Sequence, residues 1–499
     1  MKAVSPAEAR ERDAATIEAG TSGIVLMERA ASAVALEVAR VLRHRPELGA
    51  RIVALAGTGN NGGDGFEAAR LIRRFGPNVE TLLIGNPDRL TPDAARMFGG
   101  LCASGGGVTV VATERTLEPL RSATLVVDAL FGTGLTRPIA SGSLAAAAVD
   151  GCRGAFVVAV DIPSGIGGGS GVLDGPHVVA DLTVTFGLPK IAHVLLPAAG
   201  ACGRLVVADI GLVADIGLLP SDAGSLEVVT ARDLRPLFPR RPADAHKGTY
   251  GRLVVFGGAR GMAGAPSLAA RAALRAGAGL VTVAAPEAVR DVVHALVPEA
   301  TTVAFDDDLG SASALAVGPG LGTTDAARQA FERCLSRETP AVFDADALNL
   351  AQGDPRLFAA RKAPTVLTPH PGEAGRLLGK TAGDVNADRL ESARLLASRS
   401  GAVVILKGFR SIVADPAGRT VTILAGNPGM AKGGSGDVLT GIVGAFLARG
   451  LSAWDAATAA AWLHGTAGDL AREAGHEEAI VASDVIAALP DAFAAMGTR

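Results

Sequence analysis

RIVALAGTGNNGGDGFEAARLIRR, residues 51–74, places a short apolar run, a glycine-rich turn and a helical pattern in direct succession. The run at 51–57 reads as a buried strand. The glycines after it permit a sharp turn or a close approach to a ligand, and a helix is expected from about 64 to 74. Further strand candidates follow at 79–85 (VETLLIG), 124–130 (TLVVDAL), 155–165 (AFVVAVDIPSG) and 181–187 (DLTVTFG). Val-rich runs alternating with Ala-rich helical stretches mark βαβ units and a mainly parallel sheet buried on both faces. Upstream, residues 8–45 read as helical.

The same rhythm restarts downstream at GRLVVFGGARGMAGAPSLAARAALRAGAGLVTVAAP (251–286). It continues through LAVGPGLG, AVFDADALN, TVLTPHPGE and AVVILKGFRSIV. Between the two series the composition changes. GLLPSDAGS (217–225) and RPLFPRRPADAH (235–246), with Pro236, Pro239 and Pro242, interrupt any long element. The expected division is a first α/β domain over 1–215, a linker or boundary region over 216–245, and a second α/β domain over 246–499. The halves share a class but no repeated sequence, which argues against a tandem duplication.

The 499 residues suit two large domains, with cores built from Ala, Val and Leu because aromatics make up only 4%. A net charge of −3 from 47 basic and 50 acidic residues, well mixed, leaves no nucleic-acid footprint or polybasic membrane patch. No apolar run is long enough to span a membrane, and the first residues, MKAVSPAEARERD, lack the apolar core of a signal peptide. Cys102, Cys152, Cys202 and Cys334 are widely spaced. They form neither a disulfide framework nor a zinc site, and a cytoplasmic protein is expected.

Gly57, Gly59 and Gly62 satisfy GxGxxG, and Glu80 stands where a ribose-binding acid would stand in a dinucleotide site. The loop is nevertheless crowded with Asn60, Asn61 and Asp64, side chains that suggest contacts of their own. Asp128, before Gly132 and Gly134, and Asp161 and Ser164 fall at two other strand ends. Ligands of open α/β sheets bind beyond the carboxyl ends of strands, so Asn61, Asp128, Asp161 and Ser164 can converge on one crevice. An oxygen-only set suits a hard cation or a sugar hydroxyl, although Asp128 and Asp161 can also simply cap turns.

In GNPGMAKGGSGDVLTG (426–441) the glycines around Lys432 precede a strong helix. Free N–H groups at its N-terminus can neutralise a phosphoryl group in transfer, with Asp437 beside them to accept a proton from the attacking hydroxyl. The spacing is not that of a Walker A loop. Lys407 follows a strand and can hold nucleotide phosphates or face solvent. His370, between two prolines, is a candidate substrate contact. Asp344, Asp346 and Asn349 are candidates for substrate or a hydrated magnesium ion, and His246 and Lys247 for a segment closing over the site. His464 is expected to be helical and structural.

Taken in order, LMERA, GTGNNGGDG, DALFGTGL, VDIPSG and VTFGLPK, then HKGTYG, GPGLG, DADALN, TPHPGE, LKG and GNPGMAKGGSGDVLTGI, resemble the bifunctional NAD(P)H-hydrate repair enzymes along nearly the whole chain. The resemblance implies a Rossmann-like three-layer α/β/α epimerase domain followed by a ribokinase-like, ADP-dependent dehydratase domain. In the first, Asn60, Asn61, Gly62, Gly63 and Asp64, the loop Gly132, Thr133, Gly134, Leu135, Thr136, Arg137 and Pro138, and Asp161 would contact the hydrated nucleotide. Asn61, Asp128 and Ser164 would hold K+, and Asp161 would do acid–base work. In the second, Ala265, Gly322, His370 and Asp437 would contact the S hydrate. Lys407, Gly408, Phe409, Arg410, Ser411 and Gly436 would bind ADP, with Mg2+, and Asp437 would be the catalytic residue.

The resemblance further implies small-molecule substrates; the mixed charge argues against a nucleic-acid or membrane partner, and thin aromatic content with Ala-rich outer helices permits the homo-oligomer that is expected. Asp437 would help the ring hydroxyl take a phosphoryl group from ADP, and loss of phosphate would then restore NAD(P)H. Lys190 matches the family pattern without a role that its chemistry alone assigns. Lys432 departs from the family, which typically has Thr there; it would either tighten nucleotide binding or point to solvent. The rival reading is a small-molecule kinase of the same fold fused to a nucleotide-binding domain.

Overall fold

The computed structural model describes residues 2–213 and 226–497, and the chain divides into two compact units, Met1–Ser225 and Leu226–Arg499. The first carries strands β1 (Ile52–Ala56), β2 (Val79–Leu83), β3 (Val108–Val110), β4 (Leu125–Ala129), β5 (Phe156–Val160), β6 (Leu182–Phe186) and β7 (Arg204–Ala208). They form one parallel sheet in the order β3-β2-β1-β4-β5-β6-β7. Side chains alternate across it as a pleat requires. Ile52, Ala54 and Ala56 pack with Val34 and Val38 of the helix Gly23–His44 and with Phe66 and Ile72, whereas Val53 and Leu55 pack with Leu117, Leu120 and Val149. Apolar burial on both faces makes three layers, at about 1.5–3 kcal/mol for each fully buried large aliphatic or aromatic side chain.

Two local expectations change. The helical stretch 8–45 is two helices, Pro6–Glu18 and Gly23–His44. The break falls at Gly20, whose φ of 105° is left-handed, and at Ser22, whose side chain accepts the N–H of Val25 and caps the second helix. The helix after β1 begins at Asn60 instead of 64, drawing Asn60, Asn61, Gly62 and Gly63 into its first turn. A Cβ on Gly62 would lie 2.0 Å from the Gly57 carbonyl oxygen, so close packing explains a glycine that helix propensity argues against.

The second unit carries β8 (Glu227–Val228), β9 (Arg252–Phe256), β10 (Leu280–Ala284), β11 (Thr301–Val303), β12 (Ala314–Val317), β13 (Ala341–Phe343), β14 (Thr365–Leu367), β15 (Val403–Leu406), β16 (Ile412–Ala414) and β17 (Thr420–Thr422). The sheet order is β11-β10-β9-β12-β13-β14-β15-β16-β17-β8, with antiparallel pairing only at β15/β16 and β16/β17. Leu253 and Val255 face the helices Gly264–Arg275 and Ser435–Ala448, while Val254 and Phe256 face the opposite layer with Phe331 and Phe358. Of the expected linker, 216–225 lies outside the described residues. The remainder is not a linker: β8 pairs with β17, and Leu234 and Phe238 are buried in the core, Phe238 against Phe446 and Phe493.

Candidate active sites

In the first unit the loops after β1, β4, β5 and β6 all leave the carboxyl edge of the sheet. They border a cavity of about 920 Å3 whose walls include Asn60, Asn61, Asp64, Gly132 to Pro138, Asp161 and Lys190. Asn60 accepts the Thr91 hydroxyl at 2.6 Å, and the Asn61 carboxamide lies against Gly132. Asp161 has a left-handed φ of 65°, rare for a residue with a Cβ, and both its oxygens are engaged. Oδ1 accepts from Lys190 Nζ at 2.7 Å and from the Thr185 hydroxyl at 3.0 Å, and Oδ2 accepts the Thr133 N–H at 3.3 Å. Burial alone would raise the Asp161 pKa, but Lys190 outweighs it and holds the carboxyl well below the usual range.

Behind this cavity the fully buried Asp128 accepts the Ser164 hydroxyl at 2.6 Å, the Ser164 N–H at 2.8 Å and the Leu130 N–H at 3.3 Å. Burial pushes Asp128 up to about 6 against those hydrogen bonds. Asn61 Nδ2 is buried without a hydrogen-bond partner. Asn61, Asp128 and Ser164 therefore lie around neighbouring loops, with oxygen donors and one unsatisfied carboxamide, a donor set that suits a large hard cation.

Glu80 does not fulfil the dinucleotide pattern. It pairs with Val53 in the sheet, near the amino end of β2, and forms an ion pair with Arg51 at 3.2 Å, at the opposite edge from the glycine turn. Sequence reasoning passed over Asp13, from the helix Pro6–Glu18, which also lines the cavity. Nothing in the spacing of a helix so far upstream signals that it returns to β5. It also gave Lys190 no role, although the scarcity of Lys was the available signal.

In the second unit the ends of β12, β13, β14 and β15 bring a charged chain together. Lys407 Nζ donates to Asp344 Oδ1 at 2.6 Å and lies 3.8 Å from Glu373, while Asp344 Oδ2 accepts the Thr440 hydroxyl at 2.7 Å. Burial opposes the Lys407 charge, but Asp344 and Glu373 outweigh it and raise its pKa. Between Asp344 and Asp346, Ala345 takes a φ of 48°, and the two carboxylates part. Asp346 instead accepts the Gly322 N–H at 2.8 Å and the Asn349 amide at 3.3 Å. Ala265 is a neighbour of Gly320, where a Cβ would lie 3.1 Å from its own. His370 caps the helix Pro371–Leu378 by accepting the Gly372 N–H at 3.0 Å, and its ring lies 3.4 Å from Glu373.

Asp437 stands in the first turn of the helix Ser435–Ala448, which starts from a left-handed Gly434 (φ 93°). A Cβ on Gly436 would lie 3.2 Å from Lys407 Nζ and 3.5 Å from Asp344 Oδ2, which puts the helix N-terminus against the ion pair. Burial, then Asp344 and Asp346, push Asp437 up to about 7 despite Lys407. That is a carboxylate poised to exchange a proton near neutrality.

The contacts of the remaining candidates are local, and one expectation changes. Lys432 is exposed, and its ammonium donates to the Glu478 carbonyl. Arg410 is buried and donates to the Leu424 carbonyl, whereas Ser411 donates to the Gly408 carbonyl at 3.0 Å. His464 is helical as expected, with its Nε2 3.3 Å from the Ser435 hydroxyl, and burial lowers its pKa to about 4. His246 and Lys247 precede β9, and Leu280 at the start of β10 donates to Gly251. They sit at the amino edge, away from Asp437, and do not close over its site.

The chain matches a family model described as NAD(P)H-hydrate dehydratase over residues 253–491 and one described as YjeF-related protein N-terminus over 23–192. It is 40% identical over 514 residues to the bifunctional NAD(P)H-hydrate repair enzyme Nnr of Moorella thermoacetica, covering 98% of this chain and 96% of that protein. The Escherichia coli protein of the same name is 38% identical over 445 residues, covering 88% and 84%. Among solved structures, the ADP/ATP-dependent NAD(P)H-hydrate dehydratase of Bacillus subtilis, co-crystallised with ATP and Mg2+, superposes with a TM-score of 0.51 at 32% identity. That match covers 54% of this chain and 99% of the other.

Proposed function

The chain belongs to the bifunctional NAD(P)H-hydrate repair enzymes, and from that premise we propose which of its groups carry each half of the repair. The enzyme interconverts the R and S hydrates of NAD(P)H and dehydrates the S form in an ADP-dependent reaction. The observation that carries the assignment of the dehydratase centre is Asp437, a carboxyl raised to about 7 in the first turn of a helix whose N-terminus abuts the Lys407–Asp344 pair.

In the S hydrate the leaving group is a ring hydroxyl, a poor one at neutral pH. Asp437 accepts the proton of that hydroxyl as it takes the phosphoryl group of ADP, and the N–H groups at Gly434 to Gly436 face the transferring charge. Lys407 offers its ammonium to the nucleotide phosphates, with the loop Gly408 to Ser411 beside it. The Arg410 guanidinium is already engaged, so this residue would contact nucleotide through its backbone. Ala265, Gly322 and His370 border the same strand ends and would position the hydrate.

Mg2+ fits the surplus of carboxylates, since Asp344, Asp346 and Asp437 act on one another around the single Lys407. Among the described residues no three His, Cys, Asp or Glu side chains converge to ligate a metal, so phosphate oxygens and water would complete its shell around one or two of these carboxylates. When bound, the ion neutralises phosphate charge. In the first unit Asn61, Asp128 and Ser164 would hold K+, which the oxygen donors and the unsatisfied Asn61 amide favour; turning that carboxamide over would present its oxygen. Asn60 to Asp64 and Gly132 to Pro138 would take the hydrated ring and its nucleotide.

The test is Asp437→Asn in the full chain, with absorbance at 340 nm followed as NADH forms from the S hydrate and ADP. Dehydration should fall by at least ~100-fold, the scale of a lost general base, while R-to-S interconversion persists. Unchanged dehydration would overturn the assignment of Asp437. Absence of any repair by the wild-type chain with ADP or ATP would overturn the reading as a whole.

A further inference from the structure

The epimerase must invert a carbon that carries both a hydroxyl and the ring nitrogen. Two bonds can break. Loss of the hydroxyl as water would leave a cationic ring that needs only to shed a neighbouring proton to become NAD(P)H. The dehydratase centre spends a nucleotide phosphoryl group to break that same carbon–oxygen bond, an expense without purpose if the first unit broke it unaided. The carbon–nitrogen bond is therefore the one to open. This inference rests on the epimerase reading given above.

Opening it moves one proton from the hydroxyl to the ring nitrogen, with no net gain or loss. A carboxylic acid that holds its own proton does this in one exchange, whereas a carboxylate pinned as an anion does not. Four carboxyls line the cavity: Asp13, Asp64, Asp93 and Asp161. Asp93 stands in the first turn of the helix Pro92–Ala103, with its carboxylate against Gly23, and not on the strand-end loops that carry Asp64 and Asp161. Asp161 is pinned, with both oxygens engaged by Lys190, Thr185 and the Thr133 N–H, and Lys190 is itself 3% exposed. Asp64 is only partly buried on the cavity wall and has no hydrogen-bond partner among the described residues. Burial and the charges of Asp161 and Asp13 push its pKa well above the usual range, with Lys190 opposing. Asp13 is raised for the same first reason, burial, and Arg10 and Arg12 are the other charged groups of its helix on the wall.

We propose that Asp64, not Asp161, is the proton carrier of the epimerase, and that it works by opening and reclosing the hydrated ring. Its O–H protonates the ring nitrogen while its other oxygen takes the hydroxyl proton. The carbon–nitrogen electron pair passes to nitrogen, and the former O–H pair completes an aldehyde carbonyl. A half-turn about the bond to that carbon exposes its other face, and the reverse exchange recloses the ring with Asp64 again protonated. Asp161 remains a fixed anion beside the ring, and Lys190 is the positioning residue that keeps it so.

The experiment follows the R hydrate without nucleotide, in water enriched in oxygen-18, with the full chain. The wild type should interconvert the epimers while incorporating well under one labelled oxygen per inversion, and borohydride should trap a primary alcohol derived from the open aldehyde. Asp64→Asn should slow inversion by ~100-fold or more while still binding the hydrate by calorimetry, and Asp64→Glu should recover part of the rate. One labelled oxygen for every inversion, or inversion by Asp64→Asn within about threefold of wild type, would overturn the proposal. If Asp64→Asn no longer binds the hydrate, the labelling and trapping results on the wild type decide. A wild type that does not interconvert the epimers at all would instead remove the epimerase reading on which the proposal stands.

Discussion

At the scale of single residues the two units treat their aspartates in opposite ways. Asp161 is held ionised by a lysine at 2.7 Å, while Asp437, mainly through burial, is lifted to about 7. Because the working form of Asp437 as a base is the ionised one, dehydration should rise about tenfold per pH unit below its pKa and level off above about 7. A profile flat from pH 5 to 8 would show that another group accepts the proton. Lys432→Thr removes only a contact to the Glu478 carbonyl. The Michaelis constant for ADP should stay within about twofold, the range of a surface substitution; a larger rise would place that ammonium on the nucleotide. The sequence was enough to single out Lys407 and Asp161, which end apolar runs, and Asp437, which opens one after a glycine-rich stretch. It gave no hint that Lys407 is paired with Asp344, since a contact across 63 positions depends on which strands become neighbours.

Among elements, strands were the easiest to read, because five-residue runs of Val, Leu and Ala buried on both faces leave little ambiguity. Helix starts were harder. The helix of the first unit begins at Asn60 through residues of poor propensity, whose glycines are demanded by close backbone approach. The helix Ser435–Ala448 shows the same constraint from the packing side. A Cβ on Gly441 would lie 2.1 Å from the Ala269 carbonyl oxygen in the neighbouring helix. Gly441→Ala should therefore destabilise the second unit by ~1–3 kcal/mol, a typical overpacking cost, and lower its melting temperature. An unchanged melt would mean the two helices separate at little cost. Residues 226–245 depart from the pattern of their prolines: three of these suggest a linker, yet Leu234 and Phe238 anchor the stretch in the core.

Over the whole molecule, the proposed assignments give each unit the residues for one half of the repair. Mixing full-length Asp437→Asn with full-length Asp64→Asn should thus restore conversion of the R hydrate to NADH, because the S hydrate made by one chain can be consumed by the other. No recovery in the mixture would indicate that the intermediate does not pass through solution. The first seven strands of the second sheet also repeat the order of the first, β11-β10-β9-β12-β13-β14-β15 against β3-β2-β1-β4-β5-β6-β7. In both, winding reverses beside the first strand, between β1 and β4 and between β9 and β12, where a crevice opens whatever side chains surround it. Each mouth is thus addressed by chain order, and chemistry can be rewritten there in loops alone. A library confined to the turns after β1, β4, β9 and β12 would explore new substrates in both units without breaking one interstrand hydrogen bond.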